Sequence, residues 1–360
     1  MGLSLAYELS CRGWQVRVID RGPLGREASW AGAGILPPTN AETALHPLDR
    51  LRALSNEIHA EWSQRLLKET GIDNGLRRSG GIYLAQTAGE AASLAAMARS
   101  LTEERIACER LSPEQLIAAE PALAALARSQ RFRAAYLLPD EHQLRNPRHL
   151  AALALACAQR GVELDENCEA TDLLTAGSRI TGVVTPHGTF TADCVAITAG
   201  PWTRRLLADQ SIATGIYPVR GQIVLFRCER PPFTHILNEG PRYLVPREDG
   251  HVLAGATEEE VGFEKSNTPQ GIAELTEFAI ALVPQLGSAT IVKTWAGLRP
   301  ATLDGFPYIG RVPGLDNAFV AAGHFRSGLH MSTGTAVLLA QLMSGENPQI
   351  DLEPFRVARG

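Results

Sequence analysis

The sequence of 360 residues predicts an α/β protein in which a nucleotide-binding domain is interleaved with a second domain of mixed α+β structure. Three observations predict this fold. The chain opens on a helix–strand unit that ends in an acidic residue, and a second strand enters a helix through a glycine at residues 195–207. A strand-rich segment then precedes a final Gly-rich turn and helix. Strand–turn–helix units of this kind bind nucleotides at the carboxyl edge of an open sheet.

The opening unit covers residues 1–20. One apolar stripe predicts a helix that ends at Gly13, and residues 16–19 have the pattern of a buried strand that ends at Asp20. In the fingerprint G-x-G-x-x-G, an acid about twenty residues after the glycines binds the ribose hydroxyls, and the last glycine allows close helix–strand packing. Gly2 and Asp20 fit these two positions.

Helix and strand patterns follow one another along the rest of the chain. The predicted helices cover residues 49–70, 88–102, a segment that starts at Ser112 and Pro113, 146–160 and 334–344. The predicted strands cover residues 180–185, 190–197, 222–226, 243–246 and 251–254. From this order we predict a nucleotide-binding domain formed by residues 1–80, 145–215 and 295–360. A substrate-binding domain is predicted at 81–144 and 216–294.

Composition excludes several classes of protein. The chain is 45% hydrophobic and 20% charged with a net charge of −5, which is typical of a globular protein and predicts no nucleic-acid partner. The sequence shows neither a membrane-spanning apolar run nor a secretory signal. Its six cysteines are scattered, so no metal site is predicted from them. These features predict a cytoplasmic protein.

Two segments rich in small residues could pass close to a flat ligand. Gly32, Ala33 and Gly34 keep side chains away from the backbone, although a simple tight turn explains them as well. Residues 195–202 form a strand that turns at Ala199 and Gly200, and here a nucleotide site and an ordinary strand–helix connection are equally good interpretations.

Charged and histidine residues suggest further chemistry. Arg299, predicted in a loop, carries the guanidinium fork that binds carboxylates, although most such arginines are structural. The Gly-rich turn at 321–330 leads into the last helix, whose N-terminus could stabilise negative charge; in it we predict that His324 is packed and hydrogen-bonded. Arg326 either contacts a ligand or fastens this turn. Residues 258–260 (Glu-Glu-Glu) are interpreted as a solvated run, and residues 140–142 (Asp-Glu-His) as a surface loop.

Taken in order, these segments resemble the D-amino-acid oxidase superfamily of flavoproteins, and within it the glycine oxidases of thiamin biosynthesis. The segments that carry the resemblance are GLSLAYEL (2–9), ASWAGAGIL (28–36), YLVPR (243–247), WAGLRPATLDGFPYIG (295–310) and AAGHFRSG (321–328). The resemblance implies an FAD-binding Rossmann-like domain interleaved with a mixed-sheet α+β substrate domain.

The resemblance also implies which residues bind FAD. Asp20 would bind the adenosine ribose, while residues 32–34 and 323–329 would border the isoalloxazine ring. The full set of expected cofactor-binding residues is Gly2, Asp20, Arg21, Gly32, Ala33, Gly34, Ala199, Gly200, Trp202, Gly323, His324, Phe325, Ser327, Gly328 and Leu329.

For the substrate, Arg299 and Tyr243 match the family residues that hold the carboxylate of an amino acid, and Arg326 matches an arginine of the active-site loop. Pro241 occupies a position where some glycine oxidases have a histidine, so the resemblance offers no base there.

The implied reaction is oxidation of glycine or another small amino acid to the imine and then the 2-oxo acid, with ammonia and hydrogen peroxide as further products. The expected partners are the amino acid and molecular oxygen, with no integral membrane contact; a homo-oligomer is left open. One alternative is a D-amino-acid or D-proline dehydrogenase that uses a quinone. Another is a non-catalytic relative that retains FAD poorly, because the first strand and first glycines of the fingerprint would precede Met1.

Overall fold

The computed structural model describes residues 1–208 and 212–359. Its α-helices are α1 (Gly2–Cys11), α2 (Ala28–Ala31), α3 (Pro47–Thr70), α4 (Ala88–Glu103), α5 (Pro113–Ala119), α6 (Ala124–Ala127), α7 (Asn146–Gln159), α8 (Thr203–Ala208), α9 (Pro269–Leu282) and α10 (Ser332–Met343). Short 3₁₀ turns occur at Pro121–Leu123, Gly200–Trp202, Pro284–Ser288, Phe325–Ser327 and Glu353–Phe355. In the two described ranges, no helix has the length and apolar character needed to span a bilayer.

The strands form five sheets in the described part of the chain. The strands are β1 (Arg17–Ile19), β2 (Ile35–Leu36), β3 (Arg77–Arg78), β4 (Gly81–Ala85), β5 (Glu109–Leu111), β6 (Ala134–Leu138), β7 (His142–Gln143), β8 (Glu163–Asp165), β9 (Asp172–Ala176), β10 (Arg179–Thr185), β11 (Gly188–Phe190), β12 (Val195–Ile197), β13 (Ile216–Arg227), β14 (Ile236–Glu239), β15 (Arg242–Pro246), β16 (His251–Gly255), β17 (Thr290–Thr302), β18 (Tyr308–Arg311) and β19 (Ala318–Ala322). The largest sheet has eight strands in the order β17-β13-β16-β15-β14-β4-β6-β5. The small sheets are β1-β8, β12-β19-β18, β11-β10-β9 and β2-β7-β3.

The predicted opening unit is present. Gly13 follows α1 with φ of +81°, and β1 pairs in parallel with β8. The prediction of a buried strand was wrong in one respect, because Arg17 is exposed and pairs with Asp165 of β8 at 3.1 Å. Only one face of this two-stranded sheet packs on the helical core, through Val18.

The predicted helices are confirmed with small shifts at their ends. Hydrogen bonds explain two of the starts: Thr87 and Ser112 each accept a backbone N–H of the first turn in a capping box. At the end of α3, Gly71 adopts the left-handed conformation with φ of +72°, which glycine reaches without steric cost. Local sequence therefore sets these boundaries.

Two strand predictions need correction. Residues 190–197 are not one strand: β11 pairs with β10, whereas β12 pairs in parallel with β19 of another sheet. Arg299 is not in a loop but within β17, which pairs with β13 along its length. Pro300 is tolerated there because β17 lies at the sheet edge, where a missing N–H breaks no ladder.

The eight-stranded sheet buries both of its faces, and alternate residues of each strand separate them. Val224, Leu244 and Ala254 pack with α9 on one face. Their neighbours in sequence, Ile223 and Tyr243, lie on the opposite face, in a cluster that includes Ala33. This second face is called the site face below.

A separate core joins the helices of the nucleotide-binding side, where α1, α3, α7 and α10 pack together through residues such as Leu5, Trp62, Leu153 and Leu339. The predicted domain division remains a prediction. Strand β17 runs across its boundary at residue 295 and belongs wholly to the eight-stranded sheet.

Candidate active site

The site face carries one row of residues in register across six strands. Cross-strand partners lie side by side on the same face of a sheet. The row consists of Tyr83, Asn238, Tyr243, Gly255, Ile223 and Trp295. The Trp295 indole N–H donates to the Ala31 carbonyl at 3.1 Å, so this row faces the segment of small residues at 28–34.

Arg299 lies on this face as well, because it is four residues after Trp295 in β17 and alternate residues of a strand share a face. Its guanidinium crosses over Gly221 of β13 and donates to the carbonyl of Thr257 at 3.0 Å. A Cβ on Gly221 would overlap the guanidinium, so glycine at this position leaves the space that Arg299 occupies. Burial lowers the pKa of Arg299, and the neighbouring Tyr243 opposes that shift. No carboxylate hydrogen-bonds to Arg299 in the described structure.

Tyr243 is buried beside Arg299. Its ring lies against Gly255, where an added Cβ would come within 2.7 Å of the phenol oxygen. Burial raises the pKa of the Tyr243 hydroxyl, while Arg299 and Arg326 favour its ionised form. The hydroxyl therefore remains protonated near neutral pH and can donate to an anion. The structure thus brings Arg299 and Tyr243 together, as the resemblance implies.

Arg326 reaches the same region from the turn before α10. It donates to the Pro241 carbonyl at 3.0 Å and pairs with Glu258 at 3.5 Å. The sequence left two roles open for Arg326, contact with a ligand and fastening of the turn. These two contacts show that Arg326 fastens the turn. Both partners are partly exposed, with side-chain exposures of 39% and 44% for Arg326 and Glu258.

The run Glu258–Glu260 is not simply solvated, which corrects the sequence interpretation. Glu259 pairs with the buried Arg220 at 3.1 Å through the Nε atom, and its other carboxylate oxygen accepts from Gln222. Glu258 pairs with Arg326, as described above. The chain turns back along the end of β13 here, so the run meets two arginines that are remote in sequence.

Residues 140–142 are also misassigned as a surface loop, because Glu141 is fully buried. Its carboxylate accepts from the Tyr83 hydroxyl at 2.5 Å and from the Asn238 amide at 3.3 Å. Burial raises the pKa of Glu141 to about 7. Among the described residues, no group of histidine, cysteine and carboxylate side chains is arranged to hold a metal ion.

The segment at 28–34 is held close to the sheet. Gly34 has φ of +76°, and a Cβ there would overlap the Leu144 carbonyl. The buried Arg247 donates to the Ala33 carbonyl at 2.6 Å and to Gln143 at 2.6 Å. Both partners are neutral oxygens, and through them the buried Arg247 holds the segment at 28–34 in place. Burial lowers the pKa of Arg247 to about 9.

The turn at 323–329 approaches the same face from the other side. Gly323 has φ of +85°, and an added Cβ would lie 2.5 Å from Thr302 Cγ2. His324 is buried with Nε2 3.1 Å from the Thr335 hydroxyl, as predicted for a packed histidine. The carbonyl of Leu329 is fixed by His59 Nε2 at 3.0 Å.

Residues expected at the adenosine end also lie together. The Arg21 guanidinium stacks over Trp202, 3.4 Å from the ring centroid, beside the turn at Ala199 and Gly200. Asp20 accepts from the Gly22 N–H at 3.1 Å, and burial raises the pKa of its carboxyl. Gly2 packs so closely that a Cβ would lie 3.0 Å from Thr198 Oγ1.

These residues fit an FAD molecule. The turn around Gly34 leaves no room for side chains, and the Asn146 Oδ1 atom beside it is buried with no hydrogen-bond partner among the described residues. The Thr203 hydroxyl, at the start of α8, is likewise buried without a partner in the described ranges. The Asp20 carboxylate follows β1, which is the position from which an acid would bind the ribose hydroxyls of a nucleotide.

A cavity of about 420 Å³ opens on the site face beyond Arg299. Its lining includes Tyr217, Glu258, Glu260, Leu303 and Phe325. Leu303 is 85% exposed, so the cavity communicates with solvent at this rim. It is also lined by Val219, the cross-strand neighbour of Arg299.

Sequence reasoning missed several residues that shape the site. Gly221 and Gly255 lie directly next to predicted strands. Nothing in the local sequence indicates that the Arg299 and Tyr243 side chains would pack over them. Arg247 follows directly on the segment YLVP, and a charged residue at the end of a buried strand is the one signal that could have identified it. Glu141 and Glu258 sit in polar runs that are typical of loops.

Residues 1–342 of the chain match the family described as FAD dependent oxidoreductase. The chain is 35% identical over 356 residues to a glycine oxidase of Pseudomonas putida, covering 99% of this chain and 95% of that protein. It is 31% identical over 350 residues to the bifunctional protein ThiO/ThiG of a Synechocystis strain, covering 95% of this chain and 50% of that protein.

The fold also matches that of a glycine oxidase. The crystal structure of glycine oxidase from Geobacillus kaustophilus superposes with a TM-score of 0.93 at 32% identity, covering 100% of this chain and 96% of that one. The predicted α/β architecture with a Rossmann-like FAD domain is therefore confirmed, and FAD is the cofactor of this family. The chain belongs to the FAD-dependent oxidoreductases, and within them to the amino-acid oxidases related to glycine oxidase.

Proposed function

We propose that the protein oxidises glycine, or another amino acid with a small side chain, at the site face. The observation that carries this proposal is the juxtaposition of Arg299 and the Tyr243 hydroxyl opposite the segment at 28–34. Three similar bacterial proteins carry the name glycine oxidase, which supports the choice of substrate.

In this proposal FAD binds between the segments at 28–34 and 323–329, with its adenosine end at Asp20, Arg21 and Trp202. Residues 199–200 and Gly2 lie at the same end. When bound, FAD supplies the acceptor for the two electrons of the substrate Cα–H bond, which breaks as the Cα–N bond becomes the C=N bond of the imine. The protein supplies binding, orientation and electrostatics.

Arg299 would hold the substrate carboxylate through two parallel N–H donors. Its remaining donor to the Thr257 carbonyl keeps the guanidinium plane fixed. Tyr243, protonated because burial raises the pKa of its hydroxyl, would donate a further hydrogen bond to the carboxylate. Arg326 adds positive potential from the rim. Such positioning can supply about 7–11 kcal/mol of a reaction barrier.

With the carboxylate fixed, the Cα–H of the substrate would face the small-residue segment. Gly32 and Gly34 let this segment pack against Asn146 and the Leu144 carbonyl, where a Cβ would collide, and Arg247 holds Ala33 in place. The substrate must lose a proton from its ammonium group before the Cα–H bond breaks. The described residues offer no histidine on the site face for this step, so we propose that water takes the proton.

We further propose the overall stoichiometry. One amino acid, one oxygen and one water give the 2-oxo acid, ammonia and hydrogen peroxide, and for glycine the 2-oxo acid is glyoxylate. The relative named ThiO/ThiG supports a role in supplying thiamin synthesis.

The test compares the FAD-loaded protein with Arg299→Ala and with Arg110→Ala, an exposed arginine of β5 that serves as the matched control. We expect glycine-dependent peroxide and glyoxylate in air, a rise in the KM for glycine of at least about a hundredfold in Arg299→Ala, and no change in Arg110→Ala. An unchanged KM in Arg299→Ala contradicts the proposal. Turnover with a quinone but not with oxygen would instead identify a dehydrogenase.

A further inference from the structure

Glu258 brings a negative charge into the region that binds the substrate carboxylate. It follows β16 by three residues and lines the cavity beside Phe325. Its carboxylate lies 3.5 Å from Arg326, and burial lowers the pKa of Arg299 whereas Glu258 raises it. Glu258 therefore acts on both arginines of the site.

The charges of the site can be counted from these contacts. Arg299 and Arg326 contribute two positive charges and Glu258 contributes one negative charge, so these three groups together carry +1. Of the other charged groups nearby, Arg220 pairs with Glu259, whereas Arg247, whose partners are neutral oxygens, adds a positive charge near Tyr243. Glu260, also on the cavity wall, adds a further negative charge toward solvent.

Space is not what limits the substrate. The cavity of about 420 Å³ reaches Val219, the cross-strand neighbour of Arg299, and extends to the rim at Leu303, which is far more room than the two carbons of glycine require. A second carboxylate on the substrate could extend into this cavity. There it would meet Glu258 and find Arg326 already engaged.

We propose that Glu258 is a specificity-determining residue that restricts the site to amino acids with a single carboxylate, by occupying Arg326 and repelling a second carboxylate. The proposal rests on the proposed function, because it assumes that Arg299 binds the first carboxylate. It assigns to Glu258 no part in the reaction itself.

The size of the effect follows from simple electrostatics. A carboxylate near Glu258 is repelled by it, and the repulsion is strongest where little water lies between the two charges. Both Glu258 and Arg326 are partly exposed, so solvent screens the interaction and keeps the effect modest. We therefore expect a change of about tenfold in the preference between mono- and dicarboxylate substrates.

The experiment measures kcat/KM for glycine and for iminodiacetate, which carries two carboxylates on one amine, with the FAD-loaded protein. Glu258→Gln should raise the iminodiacetate-to-glycine ratio of kcat/KM about tenfold. Glu258→Met should shift the ratio in the same direction, which guards against a folding defect in one variant. Glu264→Gln is the matched control, because Glu264 is exposed and accepts from groups of the adjacent Lys265 and Ser266.

A second readout does not depend on turnover. Calorimetric titration with malonate and with acetate should show malonate binding strengthened about tenfold in Glu258→Gln relative to acetate, with Glu264→Gln unchanged. Equal ratios in wild type and Glu258→Gln overturn the proposal. A parallel loss of glycine activity also overturns it, since Glu258 would then bind the ammonium group. Absence of glycine turnover in wild type would contradict the proposed function alone, because the titrations still test Glu258.

Discussion

Gly221→Ala tests whether the position of Arg299 depends on a missing side chain in the neighbouring strand. A Cβ at residue 221 would overlap the guanidinium, which must then leave its place over β13 and its hydrogen bond to the Thr257 carbonyl. The protein keeps its arginine, its charge and its strand pairing. Only the direction of the guanidinium changes.

The magnitude follows from the bonds that the displaced guanidinium can no longer make. Each hydrogen bond to a charged group contributes about 1.5–3 kcal/mol, so loss of a two-pronged carboxylate contact costs about 3 kcal/mol. That corresponds to a rise of about a hundredfold in KM for the amino acid. Overpacking should also lower the free energy of unfolding by about 1–3 kcal/mol.

The assay is steady-state turnover of glycine by the FAD-loaded protein, together with thermal unfolding. Gly287→Ala is the matched control, because its added Cβ would lie at an ordinary 3.6 Å from Ile280 Cγ2. In an Arg299→Ala background, Gly221→Ala should raise KM less than threefold further, since the space is then free. If Gly221→Ala raised the KM by the same factor with and without Arg299, the reasoning would be refuted.

Two further predictions concern other residues of the site face. Tyr243→Phe removes one hydrogen bond to the substrate carboxylate and should lower kcat/KM for glycine about tenfold with unchanged thermal stability; an unaltered kcat/KM would remove Tyr243 from the site. Because burial raises the pKa of Glu141 from 4.5 to about 7, the folded chain keeps a proton that the unfolded chain has lost between these values. The free energy of unfolding should therefore fall across this window as pH rises, by about 3 kcal/mol from this group, and level off above it. In thermal unfolding from pH 5 to pH 8, Glu141→Gln should lack this component; identical pH profiles for both proteins would contradict it.

Helix ends were predictable from the sequence because they depend on local hydrogen bonds. Ser112 and Gly71 act on the backbone within their own turn, so the residue type is sufficient information. The resemblance indicated Arg299 and Tyr243, and the structure places the two side chains together. It could not indicate that Arg299 lies within a strand, since Pro300 in the sequence argues for a loop unless β17 is known to be an edge strand.

The remaining features depend on contacts between distant parts of the chain. Gly221 is explained by Arg299, 78 positions later, and the buried Glu141 by the Tyr83 hydroxyl of β4 and the Asn238 amide of β14. A polar run such as residues 258–260 has the same composition whether it is solvated or paired. The register of the eight-stranded sheet decides which acid meets which arginine, and single-sequence patterns do not fix that register.

The central claim is that Arg299 binds the carboxylate of a small amino acid. It is tested most directly by calorimetric titration of acetate, a carboxylate without an amine, into the FAD-loaded wild type and Arg299→Ala. We predict that acetate binds the wild type and that the dissociation constant rises at least about a hundredfold in the variant. Equal dissociation constants for the two proteins would contradict the claim.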